Sequence, residues 1–440
     1  MFRYIVLPVM ITLFLMGCST SSDVEELNYT PCEDGIAEGY PCSNIDIYAH
    51  LTPEDLLAET KDGLNVSLND IWGWSDPETS REYALVGLTD GVTFVDVTTP
   101  SEPVVVGKLL EPDDNVTTRN PLMANHDDED GFKEASSWRD MKVYQNHMYV
   151  VSEQGTYGLQ VFDLTRLRDV RQAPQMFSHD FNYTEFGNAH NIAINTESGY
   201  AYVVGSTQGG TCAQQGGLHM INLVDNPAEP SFAGCYFEEE AGGLTRGRSG
   251  YIHDTQCVIY RGPDTDFQGQ ELCFSSSETS FTITNVNDKQ QAFTIFNGSY
   301  SGNHYSHQGW LTEDHRYFFM NDELDELRDR NSTRTFIWDV EDLDNPEMIG
   351  FYEHNTVSID HNLYVKGNLL YQANYTSGLR ILDIANPQPE NISTLGYFNT
   401  TPNDNQPRFA GLWSVYPYLS GDKVIVSDID NGLFILRYAP

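Results

Sequence analysis

The chain has 440 residues, of which 40% are hydrophobic and 12% aromatic, so it can bury a substantial core and is not intrinsically disordered. Its 64 acidic and 24 basic residues give a formal net charge of −40 at pH 7. Phosphate backbones and anionic lipid surfaces would repel such a chain, which excludes nucleic acid as an expected partner and leaves cations, neutral small molecules, sugars or proteins.

The N-terminus predicts an export signal. An apolar run at residues 4–16 is too short to span a bilayer stably as a helix. The tetrapeptide LMGC that ends at Cys18 resembles the cleavage box of bacterial lipoproteins, which implies that residues 1–17 are removed and Cys18 is lipidated. An ordinary signal peptide with a chance cysteine is the alternative. Because Ser19 follows the cysteine in place of aspartate, we expect an outer-membrane lipoprotein, either periplasmic or on the cell surface.

Residues 18–43 are expected to form a polar linker, and residues 44–440 a domain built from one unit that recurs seven times. Each unit has an aromatic or imidazole residue followed by short segments rich in Val, Ile, Tyr and Phe and bounded by turn residues, which is typical of strands. We call the leading residues the anchors: Trp72, Trp138, His190, His253, His307, His361 and Trp413. A fourth strand is visible in most units. The pattern predicts an all-β fold, a single seven-bladed β-propeller.

The last unit lacks a fourth strand after Tyr438, where the chain nearly ends. Residues 44–51 have the missing alternating pattern. We therefore predict that this N-terminal strand completes the last blade and closes the ring, which leaves no exposed edge between the first and last units. An independent capping strand is the alternative.

Several of these strings resemble a known family. The segments GVTFVDV, GLQVFDL and GLRILDI are similar to LVIVD repeats. Five longer strings, including SSWRDMKVY at 136–144 and AHNIAIN at 189–195, resemble bacterial choice-of-anchor B proteins. The resemblance implies an exported or surface propeller whose anchoring device varies between members, and it implies no particular reaction.

Six cysteines remain once Cys18 is assigned to the lipid, and an even number in an exported chain implies disulfides. Fifteen connectivities exist, but the spacings favour pairs of neighbours: Cys32–Cys42, Cys212–Cys235 and Cys257–Cys273. A cysteine metal centre is disfavoured because no CxxC pair occurs.

The first strand of a propeller blade lines the central channel, so the anchors should meet at one mouth of it. Residues in the turn between second and third strands open on the same face and include Glu153, Asp322, Glu323 and Asp428. Neutral imidazoles beside carboxylates are ligands of transition metals. The metal hypothesis assigns one ion to two to four of the histidines His190, His253, His307 and His361, aided by a carboxylate such as Asp322. Two alternatives stay open: hydrogen bonds that join neighbouring blades, and acid–base catalysis without a metal.

A second hypothesis assigns ligand binding to residues of the tryptophan half of the mouth: Trp72, Trp138, Arg139, Trp413, Glu153 and Asp428. The indoles could form a sugar platform or simply plug the channel. Arg139 could bind an anionic group or form an internal ion pair with Asp140. Acidic runs at 126–131, 264–266 and 322–329 could bind Ca²⁺ or form a solvated surface.

The expected function is that of a lipid-anchored binding or scaffolding module at the cell envelope, which engages a ligand, a protein or a carbohydrate on the channel-mouth face. The alternative is a metal-dependent enzyme, an oxidoreductase or a hydrolase, that uses the channel histidines.

Overall fold

The structure is a computed structural model that describes residues 1, 28–58, 66–112, 138–153, 157–206, 216–243, 249–404 and 406–440. Seven small sheets are arranged in a ring, each with four antiparallel blade strands, and the described part also contains one short α-helix and two short 3₁₀ helices, Leu164–Asp169 and Pro389–Asn391. The predicted seven-bladed β-propeller is confirmed.

The strands follow in chain order. The N-terminal segment contains β1 (Ile36–Ala37), β2 (Tyr40–Ser43) and β3 (Ile45–Leu51). Blades 1 and 2 contain β4 (Leu68–Ser75), β5 (Glu82–Leu88), β6 (Gly91–Asp96), β7 (Val104–Leu110), β8 (Arg139–Tyr144), β9 (His147–Ser152), β10 (Leu159–Asp163), β11 (Gln175–Phe177) and β12 (Phe181–Tyr183). Blades 3 and 4 contain β13 (Asn191–Asn195), β14 (Tyr200–Val204), β15 (Leu218–Asn222), β16 (Ser231–Tyr236), β17 (Asp254–Ile259), β18 (Glu271–Ser276), β19 (Phe281–Asn285) and β20 (Phe293–Gly298).

The remaining blades complete the ring. Blade 5 contains β21 (Ser306–Leu311), β22 (Tyr317–Asp322), β23 (Arg334–Asp339) and β24 (Glu347–Glu353), with the short helix α1 (Asp325–Asp329) between its second and third strands. Blade 6 contains β25 (Asn362–Lys366), β26 (Leu369–Ala373), β27 (Leu379–Asp383) and β28 (Ser393–Phe398). Blade 7 contains β29 (Leu412–Tyr416), β30 (Lys423–Asp428) and β31 (Gly432–Tyr438).

Strand β3 is the fourth strand of blade 7. It pairs antiparallel with β31 from Ile45 opposite Tyr438 to Leu51 opposite Leu433. The prediction that an N-terminal strand closes the ring is therefore confirmed, and the first and last units share one sheet.

Two further segments extend the outer edges of blades. The hairpin of β1 and β2 pairs with β28 and makes blade 6 six-stranded, while β11 adds to β7 in parallel and makes blade 1 five-stranded. Thr30 also forms a bridge with Ile47. The segment 28–43 thus packs against the ring. The linker predicted at 18–43 therefore included residues 28–43, which belong to the folded domain.

The core lies between neighbouring blades, because each sheet is covered on both faces. In β5, Tyr83 and Leu85 pack towards blade 2, whereas Ala84 and Val86 pack towards blade 7. All seven residues of β5 are buried. Successive side chains of a strand point to opposite faces, so a continuous apolar run is what a doubly covered strand requires.

Two predicted disulfides are present, Cys32–Cys42 and Cys257–Cys273. Cys235 is also disulfide-bonded, but its predicted partner Cys212 lies outside the described residues. Among the described residues, no helix is long and apolar enough to cross a membrane. Cys18, and the leader at residues 2–17, also lie outside the described residues.

Candidate functional site

One mouth of the channel is closed by a ring of six aromatic side chains, one from each of blades 2 to 7. Neighbouring imidazole centroids are 4.1 to 4.4 Å apart, and the two indoles, whose centroids are 6.0 Å apart, complete the circle. We call this the anchor ring: Trp138, His190, His253, His307, His361 and Trp413. The four histidines are buried. The structure therefore brings together six of the seven predicted anchors.

The seventh predicted anchor, Trp72, lies outside the ring. Its ring centroid is 4.9 Å from that of Tyr416 and 5.8 Å from that of Tyr364, and each of these tyrosines lies three residues after an anchor. At about 3.3 Å per residue, Trp72 is roughly 10 Å deeper in the channel. If Trp72 likewise lies three residues after the anchor position of its strand, that position in β4 is occupied by Asn69. The assignment of Trp72 to the mouth is corrected accordingly.

The space inside the anchor ring is small. The volume of the cavity that the centre of a water-sized sphere can reach is about 20 Å³. The cavity is lined by the anchors and by the residues that follow them: Asp70, Trp138, Arg139, His190, Asn191, His253, Asp254, His307, His361, Asn362 and Trp413. A single water occupies about 10–15 Å³ by this measure. The described channel can therefore admit one water or one ion at this level.

Three of the histidines join neighbouring blades by hydrogen bonds from Nδ1. His253 bonds to the carbonyl oxygen of His307 at 2.8 Å, and His361 bonds to that of Trp413 at 2.6 Å. Nδ1 of His190 lies 2.8 Å from Glu153. Since a carbonyl oxygen only accepts, His253 and His361 carry their proton on Nδ1 when neutral, which places the imidazole lone pair on Nε2. The joining role expected for the imidazoles is therefore observed.

His307 and His361 also face the carboxylate of Glu323. The two Nε2 atoms lie 3.5 Å and 3.7 Å from Glu323 oxygens, and the three ligand atoms are all within 4.8 Å of one another. The hydroxyl of Tyr375 donates to Glu323 Oε1 at 2.8 Å. Burial lowers the pKa of His361 to about 4 and holds that of His307 well below its usual value, whereas burial raises the pKa of Glu323 to about 8. Both imidazoles are thus neutral at pH 7, as metal ligands must be, whereas the carboxyl of Glu323 is protonated and would release its proton on binding a metal.

Asp322, the carboxylate predicted for the metal, is engaged elsewhere. Its oxygens accept hydrogen bonds from the hydroxyl of Tyr300 and from the backbone amides of His304 and Tyr305, at 2.7 to 2.8 Å. Its role in the structure is to hold the segment that enters blade 5. At this turn it is Glu323, and not Asp322, that faces the histidines.

The other residues of the ligand-binding hypothesis are dispersed. Arg139 forms an ion pair with Glu111, not with Asp140, and lies over the Tyr157 ring. Asp428 is buried and accepts from the amides of Asp430 and Asn431, which makes it a turn residue. Among the predicted residues, Trp138, Trp413, Arg139 and Glu153 stay near the anchor ring, but they do not form one open platform.

Sequence reasoning missed a buried charge cluster below the ring. Lys142 binds Asp140, lies 3.6 Å from Asp70, and places Nζ 4.4 Å from the centroid of Trp72. Burial opposes the charge of Lys142, but attraction to Asp140 and Asp70 outweighs it and raises the lysine pKa. Asp254, which also lines the cavity, has its pKa raised to about 7 by burial. A lysine inside the apolar segment MKVY was the available signal.

The acidic runs do not form one site. Residues 126–131 lie outside the described residues. Asp264 accepts from the amide of Leu343 in the next blade and lies with Asp342 and Asp344 in a largely exposed group. In the third run, Asp325 is paired with Arg334 and, with Glu326, is buried on α1.

A separate groove of about 620 Å³ lies on the opposite face, between the outer parts of blades 3 and 4. It is lined by residues of the turns that follow first and third strands, including Tyr200, Asn222 and Asn287. The ion pair of Lys289 with Glu271 forms part of its wall. None of the predicted site residues contributes to it.

A family model described as the LVIVD repeat matches residues 361–391, which correspond to most of blade 6. No curated protein matches the chain. Similarity to LVIVD repeats is thus confirmed for this segment, and similarity to choice-of-anchor B proteins stays a prediction.

Solved structures also resemble the chain. A protein from Lactobacillus plantarum superimposes with a TM-score of 0.50 at 12% identity, covering 82% of this chain and 88% of that one. The β-propeller domain of Cps50 (Swd1) from Myceliophteria thermophila gives a TM-score of 0.47 at 10% identity, covering 81% and 94%. At 12% identity the likeness to the Lactobacillus plantarum protein concerns the fold alone. Nothing further is inferred from the likeness to the Cps50 (Swd1) domain.

Proposed function

We propose that the chain is an exported, lipid-anchored binding module of the cell envelope that engages its ligand or partner on the channel-mouth face. The leader, the LMGC motif and the disulfides support export, because disulfides persist in oxidising compartments. The fold supports binding, since propellers present one face of loops around a central axis.

The observation that carries the proposal is the closed anchor ring. With about 20 Å³ inside it, the channel as lined by the described residues has no room at this level for a sugar or a peptide. A ligand that binds on this face must therefore be recognised by the loops around the mouth. The same observation weighs against the metal-dependent enzyme, because a substrate could not reach the buried imidazoles beside a bound ion.

Loop lengths favour the mouth face over the opposite one. Connections at 111–138, 205–217 and 399–411, on the mouth side, have 13 residues or more, whereas the longest connections between described strands on the opposite side, 164–174 and 260–270, have 11. Loops on a rigid scaffold commonly carry binding residues. The charge of −40 favours a neutral or cationic partner over a polyanion.

Anchoring is tested by replacing the lipidated cysteine. In cells that export the chain from its own leader, Cys18→Ala should move the protein from the membrane fraction to the soluble extracytoplasmic fraction. Labelling with a fatty-acid analogue should be lost in the same variant. Unchanged membrane association and unchanged labelling would exclude a lipid on Cys18.

Partner binding is tested by site-specific photo-crosslinking in those cells. A photoreactive residue at Arg408, which is exposed in the mouth-face connection 399–411, should give a discrete crosslinked species. The matched control is Asn368, which is exposed in a two-residue turn of the opposite face. Crosslinks from Asn368 but not from Arg408 would indicate that the partner binds the face opposite the channel mouth, which would contradict the proposal.

A further inference from the structure

Two imidazoles and one carboxylate converge at the join between blades 5 and 6. His307 begins the inner strand of blade 5, Glu323 follows its second strand, and His361 begins the inner strand of blade 6. The Nε2 atoms of His307 and His361 lie 3.5 Å and 3.7 Å from the two oxygens of Glu323. All three side chains are largely withdrawn from solvent, at 3%, 4% and 13% exposure for His307, His361 and Glu323.

These separations match a coordination shell. Two ligand atoms that each lie 2.0–2.2 Å from a tetrahedral ion are about 3.3–3.6 Å apart. These two distances run to different oxygens of Glu323, but one ligand atom from each residue can be chosen so that all three lie within 4.8 Å of one another, and side-chain rotations of about an ångström would let them share one ion. Because the donors are two imidazole nitrogens and a carboxylate oxygen, the ion would be a first-row transition metal such as Zn²⁺ or Co²⁺, not Ca²⁺ or Mg²⁺.

Hydrogen bonds from neighbouring residues hold two side chains of the triad in place, as such bonds commonly do around metal sites. The bond from His361 Nδ1 to the Trp413 carbonyl fixes the ring orientation and directs the Nε2 lone pair towards Glu323. Tyr375 holds the carboxylate through Oε1. The cavity beside the triad has room for one water, which suits a fourth coordination position.

We infer that His307 Nε2, His361 Nε2 and the carboxylate of Glu323 form a transition-metal site that joins blades 5 and 6 at the channel mouth. The inference goes beyond the proposed binding function and does not depend on it. It also changes the ligand set expected from the sequence. Glu323 replaces Asp322 as the carboxylate, and His190 and His253 do not belong to the group of three. On the far side of the ring, His190 is committed to Glu153.

The test measures metal content and coordination directly. The full chain, purified in detergent without a histidine tag and stripped with a chelator, is incubated with Co²⁺ or Zn²⁺, desalted, and analysed for bound metal. We expect about one equivalent, and for Co²⁺ we expect visible absorption bands typical of four- or five-coordinate nitrogen and oxygen ligation. Less than about a tenth of an equivalent of either metal would overturn the inference.

Matched variants separate this site from the rest of the ring. Glu323→Gln and His361→Gln should each weaken Co²⁺ binding by about tenfold or more, and Tyr375→Phe should weaken it by about tenfold. Glu153→Gln and His190→Gln change an equivalent pair on the opposite side, and both should bind Co²⁺ with unchanged affinity. If Glu153→Gln weakens binding as much as Glu323→Gln, the triad is not the site.

Folding defects are distinguished by thermal unfolding. Saturating Zn²⁺ should raise the melting temperature of the wild-type chain and of Glu153→Gln, because a ligand of the native state stabilises it. The rise should be clearly smaller in Glu323→Gln, because its weaker affinity reduces the stabilisation at the same Zn²⁺ concentration, even though that variant melts cooperatively without metal. An equal Zn²⁺-induced rise in Glu323→Gln would overturn the inference.

Discussion

Asp46 Oδ2 and Arg437 Nη1 lie 2.9 Å apart, although the two residues are 391 positions apart in the chain. They face each other in the pairing of β3 with β31, where the N-terminal strand completes blade 7. Arg437 also binds through Nε to Asp422, which immediately precedes β30, so its guanidinium links β3 to the strand on the other side of β31. The ring is thus closed by non-covalent contacts between the two ends of the folded chain.

Closure should depend mainly on apolar burial and much less on this ion pair. Ile47 on β3 is fully buried against β31 and blade 6, so Ile47→Ala should lower the free energy of unfolding by about 2–4 kcal/mol. Asp46→Ala should cost less, about 1–2 kcal/mol, because Arg437 is partly solvated and keeps Asp422, although the hydrogen bond from the Cys32 amide to Asp46 is lost as well. Urea unfolding followed by tryptophan fluorescence measures both. A larger effect of Asp46→Ala would assign closure to the ion pair.

The architecture was predictable because each blade repeats one burial pattern. Segments such as GLRILD in β27 and GLFILRY in β31 alternate between two neighbouring blades, so both strand faces require apolar residues. The periodicity therefore gave the number of blades, and the strand missing from the last unit indicated β3. The added hairpin of β1 and β2 carries little apolar pattern, which is why residues 28–43 resembled a linker.

The candidate site was predictable only in part, because register decides which side chains meet. In β4 the ladder shifts between Leu68 and Ile71, and the anchor position there holds the polar Asn69, so alignment on aromatic residues selected Trp72. Glu323 and Asp322 are neighbours at a strand end, where one residue decides the side of the sheet that a side chain faces. Neither choice can be made before the pairing is known.

Lys142 should be essential for stability at neutral pH, because it is the cation of a buried cluster that holds Asp70 and Asp140. Lys142→Met keeps most of the side-chain volume but leaves the two carboxylates facing each other. We expect a loss of about 3–5 kcal/mol in the free energy of unfolding, measured by urea titration at pH 7. Lys142→Met combined with Asp140→Asn should recover part of that loss.

The control for Lys142 is an exposed cation of similar length. Arg408 pairs with Asp404 at the surface, and its side chain is 61% exposed, so Arg408→Met should change stability by less than about 1 kcal/mol. If Lys142→Met behaves like Arg408→Met, the buried cluster makes no net contribution.

Asp254 should make the protein less stable as pH rises. Burial raises its pKa to about 7, with Lys142 and Asp70 as the charged neighbours that act on it. Between the unfolded pKa near 3.9 and the folded value, the native state keeps a proton that the unfolded state has lost, so stability falls as pH rises through this window. Asp254→Asn lacks this loss of stability, which reaches its full size above pH 7.

The comparison of Asp254→Asn with wild type is therefore made at pH 5 and pH 8. The stability advantage of the variant should grow by about 2–3 kcal/mol between the two values, as measured by urea unfolding. The exposed substitution Asp344→Asn serves as the control and should show no such trend. An advantage of Asp254→Asn that is constant or shrinks with pH would contradict the assigned protonation.

Gly73 should not tolerate a side chain, because blade 7 packs directly against it. A Cβ at this position would lie 2.1 Å from Cε1 of Tyr416, whose ring is held by Trp72 at 4.9 Å and by Tyr418 at 5.3 Å between centroids. Gly73→Ala must therefore displace Tyr416 and should cost about 1–3 kcal/mol. Combining it with Tyr416→Val, which frees the space, should cost less than the sum of the two single substitutions. Strict additivity of the two costs in urea unfolding would show that no such contact limits position 73.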